Sequence, residues 1–148
     1  MPNAAWIRGA SFKEIWAQVI DPRLLPALRS KDGAEFAGPV ADVLTLWLLY
    51  NTAGRSGIAA LVLQEPPWMV ARVASAARAL GYADIAALWE EATRGMDLAR
   101  WFGVFEVPFT SREALDRLER ELVVGRHAQL HDELVAWIRG HAALFAGE

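Results

Sequence analysis

Apolar residues recur three and four places apart through almost the whole chain, the spacing of one helix face. No run alternates polar and apolar positions between hairpin-turn residues. The pattern predicts an all-α protein. Ser11-Phe12-Lys13-Glu14 has the form of a capping box, in which hydroxyl and carboxylate each satisfy a free backbone donor, and Phe12, Ile15, Trp16 and Val19 make the face that follows. Asp21-Pro22 reads as the end of that helix. A turn through Leu24, Leu25 and Leu28 precedes a polar connection marked by Ser30-Lys31-Asp32-Gly33 and Gly38-Pro39. From Val40 to Tyr50 the chain is apolar nearly all round, with Asp42 and Thr45 as its polar members, and such a helix belongs at the centre of a fold. Asn51-Thr52-Ala53-Gly54-Arg55-Ser56-Gly57 reads as a break in it.

Ile58 to Leu63 predicts a further helix. Pro66-Pro67-Trp68 suits a helix start, where proline's missing donor is not needed, and Ala71 to Leu80 continues it. Gly81 reads as a left-handed C-cap, Asp84 as the next N-cap, and Ile85, Leu88 and Trp89 as an inward face ending near Gly95. Met96 to Pro108, with Trp101, Phe102, Val104, Phe105 and Val107 crowded beside Gly103, reads as a buried linker. Thr110-Ser111-Arg112-Glu113 repeats the capping box and opens a helix with Leu115, Leu118 and Leu122 inward, ended by Gly125. The last helix sets Leu130, Leu134, Trp137, Ile138, His141 and Phe145 on one side, with Gly140 as its weak point and His141 as a core histidine. The chain of 148 residues thus reads as a single-domain compact multi-helix bundle, 1–38 forming an N-terminal helical extension and 39–148 the core.

Composition narrows the setting. With 54% apolar and 22% charged residues the chain can bury a substantial core. The absence of cysteine removes disulfides and thiolate metal sites, and a cytoplasmic protein is expected. A net charge of −3 supplies no basic field for nucleic acid, and no apolar run approaches the roughly 20 residues that span a bilayer. No phosphate loop with its lysine, dinucleotide fingerprint or cysteine nucleophile is present, so no catalytic residue is assigned and no cofactor is expected.

The apolar helix, the glycine-containing loop and two later stretches carry a family likeness. The stretches are Ala76-Ala77-Arg78-Ala79-Leu80-Gly81, followed by Ile85-Ala86-Ala87-Leu88-Trp89-Glu90-Glu91-Ala92, and Ala136-Trp137-Ile138-Arg139-Gly140-His141-Ala142-Ala143-Leu144-Phe145. Over roughly Val40 to Phe145 the chain resembles the DMP19-like family of all-helical bacterial proteins, whose namesake is described as a DNA mimic that engages a transcription factor. In place of that family's Asn-Asn-Gly-Gly-aromatic loop it reads Gly54-Arg55-Ser56-Gly57-Ile58. The resemblance implies a protein partner that is itself a DNA-binding regulator.

Mimicry needs carboxylates spaced like phosphates over an uncompensated face. Between residues 84 and 121 acids outnumber arginines, but along 112–121 the signs alternate, and Glu113 with Arg117 and Asp116 with Arg120 sit at pairing distance. Asp116 and Glu119 are the candidates for a phosphate-like stripe. Asn51, Arg55 and Ser56 are the preferred interaction site, since polar side chains interrupt the most buried helix there and Arg55 suits bidentate capture of a carboxylate or phosphate. Trp68, behind two prolines, is the tryptophan of the seven expected nearest the surface and a possible partner anchor. His127 and His131 stand four apart, the spacing of two ligands to one metal, with Asp132 adjacent, but the pattern lacks a third ligand of proper spacing.

The expectation is a non-catalytic protein–protein interaction module, by the resemblance a DNA-mimic-type regulator. Its partner is another protein or a second copy of the chain, with no direct nucleic-acid binding and no membrane. The alternative is a small-ligand or metal-dependent helical enzyme. Mimicry predicts a clustered acidic surface; an enzyme predicts a pocket on which Asn51, Arg55 or the histidines converge.

Overall fold

A computed structural model of the protein describes residues 2–30, 38–98 and 107–148. The fold is all-α, with no strand among the described residues. Helices α1 (Ala4–Gly9), α2 (Phe12–Ile15) and α3 (Leu25–Arg29) precede the central α4 (Pro39–Arg55). Then come α5 (Ala59–Gln64), α6 (Pro67–Val70), α7 (Val73–Ala79), α8 (Ala83–Ala92), α9 (Arg112–Arg120), α10 (His127–Gly140) and α11 (Ala142–Ala146). Two π-helical segments, Trp16–Leu24 and Glu121–Gly125, run on from α2 and α9. Among the described residues no helix is long and apolar enough to cross a membrane.

Every residue of α4 from Val43 to Tyr50 is buried, which accounts for the lack of a polar stripe in its sequence. Helices α7 and α10 and the second π segment pack around it, α8 lies against α7 and α9, and α1 closes on α10 and α11. The first helices share this core, since Ile7, Ile15, Ile20 and Leu28 join the same cluster as Leu46 and Phe145. Polar clasps fix the edges. Ser11 and Glu14 form the predicted capping box, and Arg126 binds both Asp84 of α8 and Glu121.

Several boundaries fall elsewhere than the sequence suggests. The chain does not end its helix at Asp21-Pro22 but stays helical to Arg29. Pro22 lacks an N–H and its ring would clash with the carbonyl four residues back, and the turn is widened to the π form, closed by the Leu25 N–H on the Ile20 carbonyl. Nor is α4 broken at Asn51. It continues through Arg55, and the turn is confined to Ser56 and Gly57, where φ of +85° favours glycine. Helix α8 begins before Asp84, which serves as an Arg126 partner instead of an N-cap. The cap of α9 is Ser111, accepting from the Ala114 N–H, while the Thr110 hydroxyl donates to the Arg94 carbonyl, so the second capping box does not form.

Residues from Pro66 to Leu80 split into α6 and α7 at Ala71-Arg72, and the last helix divides at Gly140-His141. His141 is exposed, with its ring stacked 3.7 Å from that of Trp137, because the division turns it off the inward stripe that Phe145 keeps. Gly81 adopts the expected left-handed conformation. The polar connection at 31–37 and the linker residues 99–106 lie outside the described residues.

Truncating Leu49, fully buried in α4, to alanine is expected to lower unfolding free energy by about 2–5 kcal/mol in a urea titration. A loss below about 1 kcal/mol would contradict a close-packed centre.

Candidate functional site

The last two turns of α4 carry side chains into two clefts. Trp47, Tyr50, Asn51 and Gly54 follow helical spacing down one face, and with Arg55 they meet His127 and His131 of α10 around a pocket of about 250 Å³. Leu48, Asn51, Thr52 and Arg55 follow the neighbouring face and line a second cleft of about 380 Å³, opposite residues of the first π segment, α3 and α5. Asn51 and Arg55 belong to both.

Aromatic packing sets the wall of the smaller pocket. The Trp47 ring lies 4.4 Å from Phe12, 6.1 Å from Trp16, 5.4 Å from Tyr50 and 5.3 Å from the His131 imidazole. The Tyr50 hydroxyl is 3.1 Å from Nε2 of His127, and the His131 ring sits edge-on to Phe12 at 5.6 Å. Burial, and then the charge of Asp132, hold the Tyr50 hydroxyl above its ordinary pKa. It therefore remains a neutral donor and acceptor instead of a tyrosinate nucleophile at neutral pH. The side chain of Arg55 is exposed, projects from the end of a buried helix and enters no ion pair among the described residues.

In the larger cleft, Arg29 and Glu65 are joined by hydrogen bonds of 2.9 and 2.6 Å, which raise the Arg29 pKa above its ordinary value. Trp16 and Asp21 come from the π segment, and Ser56 and Gln64 add polar groups.

The remaining predicted residues do not gather here. Glu119 is turned toward the Ser56-Gly57 turn, where its Oε1 accepts from the Ile58 N–H at 3.1 Å, and so fastens the loop beside Arg55. Asp116 pairs with Arg112 behind it at 3.5 Å, not with Arg120 ahead. Trp68 is half-buried, its indole N–H donating to the Leu28 carbonyl at 2.9 Å, so it anchors α3. The acids of α8 and α9 interleave with arginines: Glu90 binds Arg78, Asp84 binds Arg126, and a cleft of about 390 Å³ sets Asp84, Glu91 and Glu121 beside Arg117 and Arg120.

His127 and His131 share a pocket as their spacing suggests, but one imidazole is engaged by Tyr50 and the other lies 3.4 Å from Asp132. Among the described residues no three or more His, Asp or Glu side chains converge as a metal-ligand set. Sequence reasoning missed Trp16, Asp21, Trp47 and Tyr50 as lining residues, reading the aromatics as core. The Trp47, Tyr50, Gly54 spacing was the available signal for one face. Set against family profiles, curated proteins and solved structures, the chain has no match.

Both tyrosines of the chain carry raised pKa values, Tyr50 as described and Tyr82 through burial and its hydrogen bond to Glu133. The folded state holds these protons more tightly than the unfolded chain. The associated stability is complete below about pH 10 and is lost as pH rises through the folded values. Tyrosinate absorbance is expected to stay low at about pH 10 and to emerge at higher pH together with loss of helical circular dichroism. A titration midpoint near pH 10 with the helices intact would refute this arrangement.

Proposed function

We propose that this protein is a non-catalytic interaction module that receives an acidic group of a partner protein at the end of α4. The observation that carries the reading is the convergence of Arg55, Asn51, the Tyr50 hydroxyl and two imidazoles on one pocket. Arg55 supplies a planar set of donors suited to a carboxylate or phosphate, and the amide and imidazoles add shorter-range donors around it. The helix that carries Arg55 is buried from Val43 to Tyr50, so the backbone from which the cation projects has little freedom to lose on binding.

The family resemblance suggests a transcription regulator as the partner, in a cytoplasmic setting. Recognition through a row of phosphate-like carboxylates is supported less well, because the acids of α8 and α9 are interleaved and paired with arginines. The reading therefore rests on a cation meeting a partner's acid.

Immobilised protein exposed to host lysate at low salt is expected to retain a specific partner that high salt releases, since the contact is electrostatic. Arg55→Glu should reduce that capture about tenfold or more, while Asp116→Asn, at a carboxylate that pairs with Arg112 and lines neither cleft, leaves it unchanged. Equal capture by the Arg55→Glu protein would refute the reading.

A further inference from the structure

The larger cleft holds two opposite charges that are not spent on each other. Asp21 lies on the π segment, within electrostatic reach of Arg29, and Arg55 lies at the end of α4; neither Asp21 nor Arg55 forms a close ion pair among the described residues. The other charged lining groups, Arg29 and Glu65, are joined by a two-point hydrogen bond, to which the more distant Asp21 carboxylate adds only through its field, so the close contacts of Asp21 are still open. A ligand with only one charge leaves one of the free groups facing it unmatched or repelled. A ligand with both charges satisfies both, which is a basis for selecting it.

The π segment is an independent pointer. Trp16, Asp21 and Leu25 reach the same cleft at spacings of five and four residues, a column that the wider turn around Pro22 makes and regular α-helical spacing of three and four does not. Such turns are rare and concentrate at functional sites. Trp16 is half-buried and Leu25 almost fully buried, so one end of the cleft is apolar.

We propose that this cleft binds a small zwitterion, an α-amino acid or short peptide, with its ammonium at Asp21, its carboxylate at Arg55 and an aliphatic side chain toward Trp16 and Leu25. The site lies on the other side of Asn51 and Arg55 from the anion pocket and goes beyond the partner-binding reading. Loss of His127 and His131 affects that pocket alone, and loss of Asp21 affects this cleft alone.

Isothermal titration of the full chain with L-leucine and with leucyl-leucine tests it. At least one is expected to bind, with affinity falling about tenfold or more when the amine is acetylated or the carboxylate amidated, since each change removes a charge-assisted contact. Whichever ligand binds more tightly reports the spacing of the two charges. Asp21→Asn, a change at an exposed side chain, should abolish the preference for free over acetylated amine while leaving partner capture through the Arg55 pocket intact. The double variant His127→Ala, His131→Ala should keep zwitterion binding. The proposal is overturned if neither ligand binds up to about 10 mM, if acetylation leaves affinity unchanged, or if Asp21→Asn retains the preference.

Discussion

Between Val43 and Tyr50 helix α4 has no solvent face, so the other helices have to cover it on every side. That requirement organises the bundle. Helix α7 takes one flank, and α10 with the second π segment takes another. Burial of this kind draws its free energy from apolar area removed from water, and the close packing resists changes of even one methylene. The polar end of the helix inherits that rigidity. Asn51, Thr52 and Arg55 emerge just where the cover stops, so they are presented by the element with the most packing behind it.

Two local features then shape the surface at that end. The Glu119 carboxylate, accepting from the Ile58 N–H, holds the tight Ser56-Gly57 turn and keeps α5 from drifting away from α9. On the opposite side Pro22 widens the helix after α2, which brings Trp16 and Asp21 toward the same turn of α4. The result is a pair of clefts separated by Asn51 and Arg55, one walled by aromatic and imidazole rings and the other by charged and amide groups. The first suits an acidic group, and the second suits a ligand of both signs.

The all-α class and the central place of α4 were legible because helical periodicity and an all-round apolar run are properties of the local sequence. The Ser11 capping box and the Gly81 cap were legible for the same reason. Boundaries set by tertiary packing were not. Prolines and glycines at Pro22, Gly54 and Gly57 read as breaks, yet packing kept the chain helical through two of them and confined the turn to the third. Arg55 and Asn51 could be singled out as polar residues at the end of a buried helix. Their neighbours could not, since Asp21, His127 and Glu65 come from distant parts of the chain and meet only in the fold. Glu119 and Trp68, read as partner contacts, instead bond to backbone groups whose position no linear spacing reveals.

The proposed recognition residues Asn51 and Arg55 ride on the most deeply buried helix among the described residues, and native-state amide hydrogen exchange tests most directly whether that burial holds them in place. The amides from Leu46 to Arg55 are expected to exchange only through global unfolding, with the same opening free energy and denaturant dependence along the whole stretch. Fast exchange of Asn51 to Arg55 by local fraying, with Leu46 to Tyr50 still protected, would contradict it and would mean that Arg55 is presented by a mobile helix end instead of a preorganised one.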